Sequence, residues 1–175
     1  MNTRSANTKS IKTQRFILKE LTKADATSRY LSWLNDENTS QYITHTQAQL
    51  SELAEYIDQH FHNPHCLFLG IFAEASDGLA HIGNVKYESM ATFPNIATMG
   101  ILIGETNWHG KGVAKEVIEA SLPLVKSTLH ANMVNLGVEK SNVAAVKAYE
   151  KIGFEISKKP HYHFDDEALE MDIDI

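Results

Sequence analysis

The sequence predicts an α/β fold: one domain on a mixed, mainly antiparallel sheet of six to seven strands, flanked by about four helices. Three observations carry that expectation. Short apolar runs bounded by turn residues alternate with longer segments of helical periodicity. Two of those runs are joined across Ser76-Asp77-Gly78, a hairpin signal that makes their pairing antiparallel. A third run, residues 96–103, leads through Gly110 and Gly112 into a long amphipathic segment, the pattern of a strand feeding a helix.

Residues 1–10 are polar and lack the apolar stretch of a secretory signal, so a disordered tail is expected ahead of a domain spanning 11–175. The first strand is expected at residues 14–20. Thr22 and Asp25 form a capping-box signal that should open a helix with Ala26, Tyr30, Trp33 and Leu34 on its apolar face. A second helix fits residues 47–61, where Leu50, Leu53, Ala54, Ile57 and Phe61 recur at helical spacing. Strands follow at 66–74 and 81–88, then at 96–103. The long helix is expected from Gly110 to about Leu129, burying Val113, Val117, Ile118, Leu122 and Val125, with Pro123 kinking or breaking it. A strand at 133–138 precedes a short helix between the N-cap candidates Ser141 and Asn142 and the C-cap candidate Gly153. The last strands are expected at 154–157 and 168–173.

Composition bounds the function. A chain of 175 residues, 43% hydrophobic and 22% charged, suits one soluble domain with a sizeable core. No apolar run approaches the ~20 residues that span a bilayer. The single cysteine, Cys66, has no internal disulfide partner, and Leu67-Phe68-Leu69 beside it mark a buried strand; a cytoplasmic location is expected. A net charge of −6 argues against nucleic acid as a partner and mildly favours cationic amines.

The most specific segment is Asn107-Trp108-His109-Gly110-Lys111-Gly112-Val113-Ala114. Two close glycines at a strand-to-helix turn let a ligand reach the backbone, and the unpaired amides of the helix start attract an anion. No hydroxyl follows Gly110-Lys111 as a P-loop needs, because Gly112 stands there. Lys115 occupies the third glycine position of a dinucleotide fingerprint, where a long side chain prevents close packing. Downstream, Asn142 leads a short helix with Ala145 and Tyr149 on one face, ending Tyr149-Glu150-Lys151-Ile152-Gly153-Phe154.

These two motifs, in this order, resemble the GNAT family of N-acetyltransferases over about residues 12 to 173, and most of all its RimJ/RimL-like branch, which acts on ribosomal-protein N-termini and amino sugars. The resemblance implies a sheet with two central strands splayed around acetyl-CoA. It also implies transfer of the acetyl group to a primary amine, either a protein N-terminus or an amino sugar, by a monomer or homodimer. Ile101, Leu102 and Ile103 would align the pantetheine. Trp108, His109, Gly110, Lys111, Gly112, Val113 and Ala114 would surround the pyrophosphate, with Asn142, Ala145 and Tyr149 completing the site. Tyr149 matches the general acid of the family. A phenol of ordinary pKa near ~10 can protonate a thiolate leaving group.

The departure from pattern is Gly137, which stands five residues before Asn142 where related enzymes often carry a glutamate base. Glu88, His81 and Glu105 are the alternatives. Without a strong base, an amine of low pKa is favoured over lysine or polyamine. The segment from Tyr30 to Asp36 resembles an acceptor-side helix end, with Trp33 and Asn35, beside Glu88, as candidate substrate contacts. His60, His62, His65, His161 and His163 match no metal-site spacing, so no metal is expected, though the loop from His161 can border the acceptor. The alternative reading is a module that binds acyl-CoA without turnover.

Overall fold

A computed structural model describes residues 8–36, 49–161 and 167–175. Its eight strands form one sheet: β1 (Ser10–Lys12), β2 (Phe16–Glu20), β3 (Cys66–Ala75), β4 (Gly78–Ser89), β5 (Ile96–Ile103), β6 (Met133–Glu139), β7 (Glu155–Ile156) and β8 (Ala168–Asp174). The spatial order is β1-β2-β3-β4-β5-β6-β8-β7. Every pairing is antiparallel except β5 with β6. Four helices are described: α1 (Ser28–Asn35), α2 (Leu50–His62), α3 (Val113–Leu129) and α4 (Val143–Ile152). Parallel neighbours need a crossover, and α3 is the crossover between β5 and β6.

Helices cover both faces, which explains why β3 reads as a continuous apolar run. Leu67, Leu69 and Ile71 point into a core shared with Val117, Ile118 and Val125 of α3. Cys66, Phe68 and Phe72 point the other way, against Tyr30, Trp33 and Leu34 of α1 and Leu53 and Ile57 of α2. The buried Cys66 thus sits where its apolar neighbours placed it.

Several elements differ from expectation. Lys9 and Ser10, assigned to the tail, are held against β2: the Lys9 amide donates to the Glu20 carboxylate, the Glu20 amide donates to the Lys9 carbonyl, and Ser10 pairs with Lys19 as the start of β1, an extra strand. Residues 1–7 of that expectation lie outside the described residues. The Thr22–Asp25 capping box exists, but it closes a 3₁₀ turn, Lys23–Asp25; α1 starts later, with Thr27 accepting from the Tyr30 amide. Its apolar face carries Tyr30, Trp33 and Leu34 as expected. Helix α2 begins at Leu50, itself 42% exposed; residues 47–48 of the expected helix lie outside the described residues. Helix α3 begins at Val113, not Gly110, because Gly110 and Gly112 adopt φ of 70° and 72°. It continues through Pro123, which sits on the exposed side, where the lost N–H is cheapest. Ser121 is buried where Leu122 was expected, and Leu122 is half-buried.

Candidate active site

The β5–β6 ladder is short. It contains Ile96↔Met133, Ala97↔Val134 and Thr98↔Asn135, and then stops. Both strands continue, residues 99–103 of β5 and 136–139 of β6, so a gap opens between them beyond Thr98. On its other edge β5 stays paired with β4 as far as Ile103. Backbone groups along the gap are therefore available to a ligand chain that pairs like a strand. Ile101, Leu102 and Ile103, the expected pantetheine contacts, line this part of β5 and are half-buried.

The glycine loop lies at the end of β5. A Cβ on Gly110 would meet nothing within 4 Å, and one on Gly112 only the Arg15 guanidinium at 3.9 Å. Space is therefore not what demands glycine. The left-handed φ at both residues is, since other L-residues are strained there. Gly112 is the N-cap of α3 and has no side chain with which to bond the first-turn amides. Those amides and the positive end of the helix dipole, in an open cradle, fit a pyrophosphate.

Neighbours hold the loop in shape. His109 Nε2 donates to the Ile103 carbonyl at 2.7 Å, tying the loop to the end of β5. The Trp108 ring packs edge-on against Phe16, centroids 5.2 Å apart, and lies 5.7 Å below the Lys111 ammonium. Val113 is buried beneath the helix start, and Ala114 is half-buried beside it. Arg15, which no sequence motif marks, donates to the Lys111 carbonyl at 3.0 Å and pairs with Glu116 at 2.7 Å. Thr13 and the Arg15 amide also donate to Glu116, at 2.7 and 2.8 Å. Burial pushes the Glu116 carboxyl up, but these donors outweigh it and hold it below its usual range.

Helix α4 presents the expected acid. Asn142 is its N-cap, accepting from the Ala145 amide at 3.2 Å, and Gly153 closes it in the left-handed conformation. Ala145 and Tyr149 pack against the α3-side core, and the Tyr149 ring meets Phe154 edge-on at 5.8 Å. Burial raises the Tyr149 pKa to about 12. Among the described residues its hydroxyl has no hydrogen-bond partner. Tyr87, also on this side of the sheet, is committed elsewhere: Ser121 Oγ already donates to the Val117 carbonyl, so the Tyr87 hydroxyl donates to Ser121 at 2.7 Å.

The candidate bases separate clearly. His81 is 8% exposed, stacked on Phe72 at 4.6 Å and flanked by Trp33 and Tyr30. Burial lowers its pKa to about 4, too weak a base to take a proton from an ammonium near neutrality. Glu105 accepts from Trp33 Nε1 at 3.1 Å and lies 3.8 Å from Arg29. Glu88, half-exposed on β4, lies 3.7 Å from Lys86 and pairs across the sheet with Thr98, the residue where the gap opens. Trp33 is buried against Gly104, where an added Cβ would meet its ring at 2.0 Å, while Asn35 is exposed at the end of α1.

A family model described as an acetyltransferase (GNAT) domain matches residues 15–155. Among solved structures, the chain is similar to a GNAT-family acetyltransferase from Bacillus anthracis, with TM-score 0.75 and 13% identity over 95% of this chain and 98% of that one. It is similar to the spermidine N-acetyltransferase of Vibrio cholerae, solved with CoA and spermine, with TM-score 0.73 and 22% identity over 91% and 95%. A proposed ribosomal-protein-serine acetyltransferase of Vibrio cholerae gives 0.73 and 16% over 95% and 97%. At such identities these likenesses speak for the fold alone. Together with the family match, the gap beyond Thr98 and the glycine cradle place this chain in the GNAT acetyltransferase family, whose cofactor is acetyl-CoA.

Proposed function

We propose that the protein is an acetyl-CoA-dependent N-acetyltransferase acting on a primary amine by direct transfer. The observation that carries this reading is the gap between β5 and β6, with the anion cradle where β5 runs into α3; Tyr149, on the helix that follows β6, is the proton donor of this proposal. Acetyl-CoA, when bound, supplies the activated acetyl group. Backbone amides of residues 110–114 hold its pyrophosphate, and residues 101–103 of β5 orient the chain that leads to the thioester. Trp108, His109 and Lys111 shape the cradle, and Asn142 and Ala145 set the position of α4.

Tyr149 donates its proton to the sulfur as the C–S bond breaks. A pKa pushed up to about 12 keeps that proton in place at every physiological pH. The acceptor approaches from the opposite face of the sheet, near Glu88 and the end of α1, where Asn35 is exposed. The candidate acceptors are a protein N-terminus and an amino sugar, which the resemblance to the RimJ/RimL-like branch implies, and a polyamine, since a spermidine N-acetyltransferase of Vibrio cholerae shares the fold.

The test is CoA release from acetyl-CoA across amino sugars, peptides with free N-termini and polyamines, comparing wild type with Tyr149→Phe. Turnover of one class, reduced ~10²-fold in kcat by the variant, supports the reading. Tight acetyl-CoA binding with no turnover of any amine defeats it in favour of a binding module.

A further inference from the structure

Gly137 of β6, which presents no side chain, pairs across the sheet with Glu170 of β8. Directly paired residues project from the same face, so β8 brings a carboxylate to the face that β6 leaves bare. That face is the one away from α3, because Val134, Leu136 and Val138 alternate into the α3-side core.

Glu170 is 7% exposed and firmly held. Thr98 Oγ1 donates to Asn135 Oδ1 at 2.9 Å, and Asn135 Nδ2 donates to Glu170 Oε1 at 3.0 Å. The His161 amide donates to both carboxylate oxygens, at 2.9 and 3.1 Å. Thr98 and Asn135 are the last pair of the β5–β6 ladder, so this chain of hydrogen bonds begins where the gap opens.

The His161 ring completes the arrangement. Its Nδ1 is buried 3.4 Å from Glu170 Oε1 and, among the described residues, has no hydrogen-bond partner; a small ring rotation closes that separation. The ring lies edge-on to Phe93 at 5.1 Å, and its side chain is 22% exposed. With Nδ1 turned inward, the exposed part of the ring carries Nε2. A proton on Nδ1 facing the carboxylate leaves Nε2 with a free lone pair.

Resting on the acetyl-transfer reading, we infer that His161 Nε2 takes the proton from the acceptor ammonium, with Glu170 as the positioning residue. An ammonium loses two protons on becoming an amide. The first passes to Nε2 and on to solvent, leaving a neutral nitrogen to form the N–C bond as the C–S bond breaks. The second, released from that nitrogen, replaces through solvent the proton that Tyr149 gives the sulfur. Attack from one face of the sheet with the acid on the other suits a carbonyl held in the gap. Ordinary aliphatic amines, protonated near neutrality, thereby become usable acceptors, contrary to what Gly137 alone implies. The other titratable groups that the register sets on this face are Glu88 with Lys86, which also meets His60 of α2, then Asp172, which accepts from the Ser157 hydroxyl, and Glu139, Glu155 and Asp174.

The test measures kcat/KM against pH for a strongly basic aliphatic amine and a weakly basic one, with the acetyl-CoA Kd and Tm of every variant. His161→Gln should lower kcat/KM for the basic amine ~10²-fold at neutral pH, and less for the weakly basic one. The acetyl-CoA Kd should hold, and free imidazole should restore part of the activity of His161→Ala. Glu170→Gln should lower kcat for the basic amine more than for the weakly basic one, with KM and the acetyl-CoA Kd held, because the ring loses the carboxylate that orients it, and Glu170→Asp should recover part of that loss. Wild-type rates and an unchanged limb in His161→Gln overturn the inference while leaving acetyl transfer intact; if Glu88→Gln erases the limb instead, Glu88 is the base. A wild type that binds acetyl-CoA but acetylates no amine overturns the transfer reading, and this inference with it.

Discussion

At the scale of single residues, two buried rings set the pH behaviour. Tyr149 keeps its proton far above neutrality because burial disfavours the phenolate, so it enters no limb of the activity profile below about pH 10. His81 works in the opposite sense. Its folded pKa, about 4, lies below the ordinary 6.5, so the unfolded chain binds the extra proton between those values. The stability this confers is complete above pH 6.5 and is lost as pH falls through 4, a span worth about 3 kcal/mol. Urea unfolding at pH 7 and pH 4 should show that loss in wild type, and His81→Phe should remove most of this difference between the two pH values. Both histidine and tyrosine were legible as residue types, but their burial was not. A histidine at the start of an expected strand gives no sign of the aromatic box that Phe72, Trp33 and Tyr30 build around it.

At the scale of elements, the strongest local signals gave the best boundaries. Strand β5 was expected at 96–103 and spans Ile96–Ile103. Helix α4 lies between the cap residues its sequence announced. The capping box at Thr22 misled because a cap satisfies the first amides of a 3₁₀ turn as readily as those of an α-helix. Capping also reaches the chemistry, since Asn142 sets where Tyr149 stands. Asn142→Ala should cost about 1 kcal/mol of stability and lower kcat, while Asn142→Ser should keep both near wild type. Thermal melts and CoA-release rates on the same samples check this; an unchanged kcat in Asn142→Ala would separate the cap from the acid.

At the scale of the whole molecule, the β1–β2 turn is bolted to the glycine loop through Arg15, Glu116 and the Lys111 carbonyl. Arg15 is more than a third exposed, so the ion pair itself adds at most about 1 kcal/mol. Its value lies in shaping the loop. Arg15→Ala should therefore shift Tm little yet weaken acetyl-CoA binding ~10-fold, read by calorimetric titration. Acetyl-CoA at ~100 times its Kd should stabilise the wild type by about 2.7 kcal/mol, seen as a Tm rise of several degrees. In Arg15→Ala the same concentration should raise Tm less. No residue pattern announces this bolt, because Arg15 and Glu116 lie far apart in sequence and meet only through the packing of β2 against the α3 start.

What the sequence by itself determined is whatever depends on local chemistry. Glycines that must take left-handed φ mark the cradle, asparagine and glycine caps bound α4, and the spacing from Asn142 to Tyr149 sets the proposed acid on one helix face. Only the tertiary structure decided which candidates can act together. Glu170 alternates with Leu169 and Met171 like any outward polar strand residue, yet it is buried, because β6 covers one flank and His161 folds over it. Its place opposite Gly137 is a matter of strand register. Register is settled by how whole faces of β6 and β8 match, which no short stretch of sequence contains.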